Sequence, residues 1–139
     1  MRIIIGIDPD IDKSGVAIMI EGVVELTKLR FFELFDLLTK YKGENIFVVI
    51  EGGWLNKSNW HIKKQGSASL NATIGNRTGA NHETGRKIVE MLEYLTIKHR
   101  VVKPTRRKLD SKEFKTITKI KTVTNQDHRD SFMLIFGLK

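Results

Sequence analysis

The sequence predicts a mixed α/β domain: a central sheet opened by three antiparallel strands, continued by parallel ones and flanked by helices. Three observations carry this. Residues 2–8, RIIIGID, and 46–50, IFVVI, are nearly continuous apolar runs rich in β-branched residues, as in strands buried on both faces. Two shorter strand-like segments, SGVAIMI (14–20) and GVVELTKL (22–29), follow the first run and are joined by a turn at Glu21-Gly22. Elsewhere apolar residues recur at the spacing of one helix face.

The first strand, 2–8, ends in Asp8, and the hairpin that follows completes a three-strand opening. In RFFELFDLLTKYKG, Phe31, Leu34, Phe35 and Leu38 share a face and Gly43 stops the helix. IFVVI is the next strand, and it too ends in an acid, Glu51. From Gly52 to Ala80 the chain is poor in periodic apolar residues and rich in Gly, Asn, Ser and Lys, which predicts a long connection with a short helix around SASLNATIG. Structureless connections beyond ~12–15 residues are uncommon in small domains, so this one points to partner contact. NHETGRKIVEMLEYLTIK (81–98) predicts a helix with Ile88, Leu92 and Leu95 inward and Asn81 as its N-cap. RVVKP is a short strand stopped by Pro104. TVTNQDHRDSFMLIFGLK forms the final helix, capped by Thr124 or Asn125 and ended near Gly137. The 139 residues are expected to form one domain, residues 1–139.

Charge narrows the partner. The chain has 24 Lys and Arg against 16 Asp and Glu, a net charge of +8, and such a basic surface attracts polyanions, nucleic acid first among them. Nine of the cations lie between Arg100 and Lys121. There is no cysteine, which excludes disulfides and thiolate metal sites and fits a reducing compartment. Asp8 interrupts the N-terminal apolar run too early for a signal-peptide core, and no stretch nears the ~18 apolar residues of a membrane span. A cytoplasmic protein with no membrane partner is expected.

The acids carry the chemistry. If the strands 2–8 and 46–50 are parallel neighbours, Asp8 and Glu51 emerge together at their carboxyl ends, the edge where open α/β sheets bind ligands. Asp127 and Asp130, three apart on the last helix, have Cβ atoms ~5–6 Å from each other on one face. That helix packed across the edge gathers four carboxylates. Four anions in a small volume repel and take up protons unless cations compensate. Two divalent ions ~3.5–4 Å apart do so while clamping the attacking water and the leaving oxygen of a phosphodiester. Oxygen-only ligands favour Mg²⁺, with Mn²⁺ as a substitute.

"IIGIDPDIDKSGVAI", "VVIEG" and "DHRDSFMLIFG" resemble the first-strand Asp, the fourth-strand Glu and the C-terminal D-x-x-D-A helix of the RuvC-like Holliday junction resolvases, within the RNase H-like superfamily. "TGANHETGR", opening the long helix, is similar to versions in phage and prophage members. The resemblance implies an RNase H-like fold, a homodimer, and Mg²⁺-dependent paired nicking of four-way DNA junctions in a bacterial or phage-infected cell. Asp8, Glu51, Asp127 and Asp130 match the four catalytic, metal-binding acids. A ribonuclease H usually draws its Glu from the first helix, whereas here the acid follows a strand. Two positions depart from the pattern: Asp10 stands where Gly commonly follows Asp-Pro, and Ser131 replaces the usual Ala. The alternatives are a broader nuclease of forks and flaps and a non-cleaving junction-binding protein.

The remaining motifs divide. Asp10 and Asp12 read as turn residues whose side chains bond nearby backbone, and Asp127 alone would suit the first turn of a helix. In GANHETGRK five residues separate the glycines where a phosphate-binding loop needs four, so no nucleotide cofactor is expected; Gly85 instead fits close packing on the sheet or on a second subunit. His61, His82, His99 and His128 lack metal-ligand spacing. Trp60 is the aromatic for stacking on open bases, while Trp54 pins the loop to the domain equally well. Lys63, Lys64, Arg77, Lys103, Arg106, Arg107 and Lys119 are the expected phosphate contacts, with binding that weakens steeply in salt.

Overall fold

Ile3, Ile5 and Ile7 cannot share a face with Ile4, because side chains alternate along a strand, and all four are at most 2% exposed. The strand that carries them, β1 (Arg2–Asp8), must therefore be covered on both sides. The computed structural model describes residues 1–56, 68–104 and 108–139, and in it β1 is the middle of a five-stranded sheet of order β3-β2-β1-β4-β5. β2 (Ser14–Ile20) and β3 (Val23–Leu29) extend it antiparallel on one side. β4 (Asn45–Glu51) and β5 (Lys98–Val102) extend it parallel on the other. The β2–β3 turn has positive φ at both Glu21 (50°) and Gly22 (81°), the primed-turn geometry whose twist matches paired strands.

Among the described residues two helices cover each face. α1 (Phe31–Tyr41) and α2 (Ala68–Tyr94) bury Leu34, Leu38, Ile88, Met91 and Leu92 against Ile3, Ile5, Ile7, Val48 and Ile50. α3 (Ser111–Thr118) and α4 (Gln126–Met133) lie on the other face, where Phe114 and Phe132 meet edge to face, 5.9 Å between ring centres, over Ile4, Ala17 and Val49. Among the described residues no helix is long and apolar enough to cross a membrane.

Two elements differ most from expectation. α2 begins at Ala68 rather than Asn81, so residues 68–80 of the expected connection, with the short helix expected around SASLNATIG, belong to one helix ~40 Å long at 1.5 Å per residue. Its residues 68–84 bury no side chain, which is why they show no apolar periodicity. Contacts at Arg77 and Asn81, described below, brace this half of the helix against the β1–β2 turn. α3 falls inside the basic run. It starts at a capping box, in which the Asp110 carboxylate accepts from Glu113 N at 2.8 Å, and it buries Phe114. The cap of α4 is Asn125, whose Oδ1 accepts from His128 N at 2.9 Å, while Thr124 is buried and accepts from Arg129. Replacing Asn125 by Ala is expected to lower the unfolding free energy by ~1 kcal/mol in urea titration, as for other lost N-caps.

Candidate active site

The register of the two central strands sets the first pair of acids. Ile7 lies level with Ile50 in the parallel β1–β4 ladder, so the next residues, Asp8 and Glu51, leave the sheet side by side at its carboxyl edge. The second pair arrives on α4, whose backbone comes directly onto β1 and β2 at two points. Two glycines permit this. A Cβ on Gly6 would strike the Ser131 carbonyl oxygen, and one on Gly15 would stand 2.5 Å from the Asp127 carbonyl oxygen. Gly15 is level with Asp8 in the β1–β2 ladder, so α4 crosses at the depth of the acids.

Asp8 has no side-chain hydrogen bond or ion pair among the described residues. Burial first, then the charges of Glu51 and Asp130, push its carboxyl up to about 8. Burial likewise raises Glu51 above the usual carboxylate range, with Asp130 adding to the rise and Lys108 opposing it. The Lys108 ammonium lies 3.3 Å from Asp130 Oδ2 and 3.7 Å from Glu51 Oε1. Burial pulls its pKa down, but the two carboxylates outweigh burial and hold it above an ordinary lysine. Gln126 Nε2 donates to Asp130 Oδ1 at 2.7 Å and fixes that carboxylate further. Asp127 differs from the other acids of the site. Its side chain is 39% exposed, against 11% for Asp130 and 14% for Glu51, and pairs at 3.0 Å with Lys28 of β3.

The structure thus gathers Asp8, Glu51 and Asp130 and leaves Asp127 at the rim. Among the described residues no three acidic or histidine side chains are close enough, as they stand, to ligate one ion. The donor set still suits a divalent cation. It is oxygen-only, and burial first, then the charges of Glu51 and Asp130, hold the Asp8 carboxyl at about 8, a cost that a bound cation would offset.

The acids separate two cavities. One, of about 250 Å³, is lined by Asp8, Glu51, Trp54, Asn81 and His82 among others. The other, about 420 Å³ and more apolar, runs from Glu51, Lys108 and Asp130 to Ile117 and Met133, with Lys103 on its border. His82 packs over Gly53, and burial, helped by Arg86, lowers its pKa so that it is neutral at pH 7.

The expected phosphate contacts fare differently. Lys103 is exposed beside the second cavity, and Lys119 is exposed at the left-handed residue ending α3 (φ 64°). Arg77 is not a free cation. Its guanidinium pairs with Asp10 at 3.2 Å and Asp12 at 3.1 Å, clasping α2 to the β1–β2 turn. Asn81 Oδ1 supports the clasp by accepting from Ile11 N at 2.8 Å, so Asn81 is a brace within α2 and not its cap. Asp10 closes its own turn, accepting from the backbone of Asp12 and Lys13. Trp54, in a short 3₁₀ turn at Gly53–Leu55, packs directly on Gly85, so it pins that turn to α2. His128 turns onto its own helix start, where Nδ1 accepts from Asn125 N. Trp60, Lys63, Lys64, Arg106 and Arg107 lie outside the described residues.

Sequence reading missed Lys108, Gly6, Gly15 and His82. Only the glycines left a local signal, since Gly within a strand marks close approach of another backbone.

No family model and no curated protein sequence matches the chain. Solved structures do. T. thermophilus RuvC in complex with Holliday junction substrate aligns over 96% of this chain and 90% of that one, with TM-score 0.57 and 12% identity. A second Thermus thermophilus RuvC structure aligns over 95% and 90%, with TM-score 0.50 and 12% identity. The mixed five-stranded sheet flanked by helices is therefore a fold this chain shares with RuvC.

Proposed function

We propose that this chain is a metal-dependent nuclease of branched DNA that resolves Holliday junctions by paired symmetric nicks. The observation that carries the reading is the largely buried meeting of Asp8, Glu51 and Asp130 at the carboxyl edge of β1 and β4, where burial first and then the neighbouring carboxylates raise the Asp8 carboxyl to about 8. The RuvC fold and its solved complex with a junction supply the substrate class, and the net charge of +8 suits a polyanion.

Asp8, Glu51 and Asp130 would hold Mg²⁺ or Mn²⁺, with Asp127 completing the set from the rim. The bound ions would supply charge stabilisation at the attacking and leaving oxygens of the phosphodiester. The chain's own residues do the rest. β1 and β4 hold Asp8 and Glu51 rigidly, α4 brings Asp130 against them, and neutral His82 and Asn81 line the adjoining cavity without adding charge. Lys103 and Lys119 would fix the duplex arms through phosphates. A homodimer belongs to the same proposal, because two symmetric cuts in a two-fold junction suit a two-fold enzyme.

The test incubates four-way junction, fork and linear duplex with purified protein in Mg²⁺ or EDTA. Metal-dependent, symmetric nicking of the junction alone is expected. Equal cutting of forks would widen the substrate class, and tight junction binding with no cutting in Mg²⁺ or Mn²⁺ would leave a junction-binding protein.

A further inference from the structure

Lys108 is the one cation among the described residues that bridges two carboxylates of the site, and the proposed chemistry does not use it. Its Nζ stands 3.3 Å from Asp130 Oδ2 and 3.7 Å from Glu51 Oε1, and those carboxylates come from separate elements, α4 and β4. Both are largely removed from water. That separates this bridge from pairs such as Lys87–Glu90 or Arg86–Glu83, whose partners are all more than half exposed and contribute little. In a partly desolvated setting the same separation carries a stronger Coulomb attraction.

The backbone beside Lys108 is anchored while its side chain is not. The Leu109 carbonyl accepts from Arg129 Nε at 3.0 Å, which ties the segment to α4. The lysine head reaches the acids on a flexible four-carbon stem and remains 41% exposed, so it has a route back to solvent. One ammonium facing Glu51 and Asp130, with unpaired Asp8 adjacent, still leaves the site net negative.

We propose that Lys108 is a built-in counter-ion of the acid site, holding Glu51 and Asp130 together when metal is absent and surrendering their oxygens to an entering divalent cation. The inference rests on the nuclease reading above and adds a selectivity step to it. A monovalent ion replaces the ammonium with no gain in charge, whereas a divalent ion brings two charges for one displaced. Lys108 thereby lowers affinity for every cation and leaves the divalent ones ahead.

The test measures Mn²⁺ binding by titration calorimetry to the whole metal-free chain, without DNA, alongside its thermal unfolding. Lys108→Met is expected to tighten Mn²⁺ binding about tenfold, equivalent to ~1.4 kcal/mol, and to lower the melting temperature of the metal-free protein. Lys108→Arg, which keeps the charge, should stay near wild type in both. Lys108→Gln is the second neutral variant should the Met variant fold poorly. Unchanged or weaker Mn²⁺ binding in the neutral variants would overturn the counter-ion role, even where wild type binds metal and cuts junctions. A wild type that binds no Mn²⁺ would overturn this role and the nuclease reading together.

Discussion

Asp8→Asn is expected to abolish junction cutting and, at the same time, to make the metal-free protein more stable at pH 8. The stability gain follows from linkage. The folded Asp8 carboxyl titrates at about 8 against an ordinary value of 3.8, so between those pH values the native state holds a proton that the unfolded chain has released. Its stabilising effect is complete below about 3.8 and is lost progressively as the pH rises to about 8. Each pH unit in that window removes up to ~1.4 kcal/mol, and Glu51, raised by the same burial, pulls in the same direction. An asparagine has nothing to ionise, so the variant's stability changes less over this range. Thermal melts in EDTA at pH 5 and pH 8 read this directly. The variant should melt higher than wild type by roughly 5–15 °C at pH 8, with a distinctly smaller difference at pH 5. Mg²⁺ should raise the wild-type melting temperature at pH 8 and leave the variant unmoved. Parallel pH profiles for the two proteins would mean that Asp8 is not the strained acid of the site.

Gly6→Ala is expected to disable the protein from within its core. The added Cβ meets the Ser131 carbonyl oxygen and comes within 3.2 Å of Ile135 Cγ2. A backbone oxygen cannot move aside by changing rotamer, so α4 must lift from β1. Overpacking of this kind destabilises by ~1–3 kcal/mol or more. Lifting α4 also carries Asp127 and Asp130 away from Asp8 and Glu51, so cutting should fall further than stability does. The comparison is urea unfolding beside junction cleavage at a temperature where the variant remains folded by circular dichroism. Gly15→Ala, which presses on the Asp127 carbonyl, should act in the same direction. Wild-type activity in a folded Gly6→Ala protein would show that the seating of α4 does not govern the site.

What the sequence made legible was what local pattern encodes. The apolar runs ending in Asp8 and Glu51 announce buried strands with acids at their tips, and Glu21-Gly22 announces a hairpin turn. The register that sets Asp8 beside Glu51 follows once the strands are parallel neighbours. The full length of α2 escaped, beyond the short helix read around SASLNATIG, because Leu70 and Ile74 are exposed and no buried partner imposes a period on 68–84. α3 escaped although Asp110 and Glu113 stand at capping-box spacing, since the surrounding lysines read as one charged run. Lys108 and Arg77 could be recognised as cations but not assigned partners. Asp10 lies 67 residues before Arg77, and Asp130 lies 22 after Lys108, separations that only the folded chain closes.

The acids of the site are mounted on different supports. Asp8 and Glu51 end strands gripped from both sides, whereas Asp130 rides on a helix that rests on Gly6 and Gly15 and is filled in beside them by Phe114, Phe132 and Ile135. Those three side chains act as a shim. A thicker or thinner filling at Ile135 would change the gap between Asp130 and the strand acids without altering a single surface residue. Rate and metal preference could therefore drift between related proteins, or be adjusted by design, while the face offered to DNA stays the same.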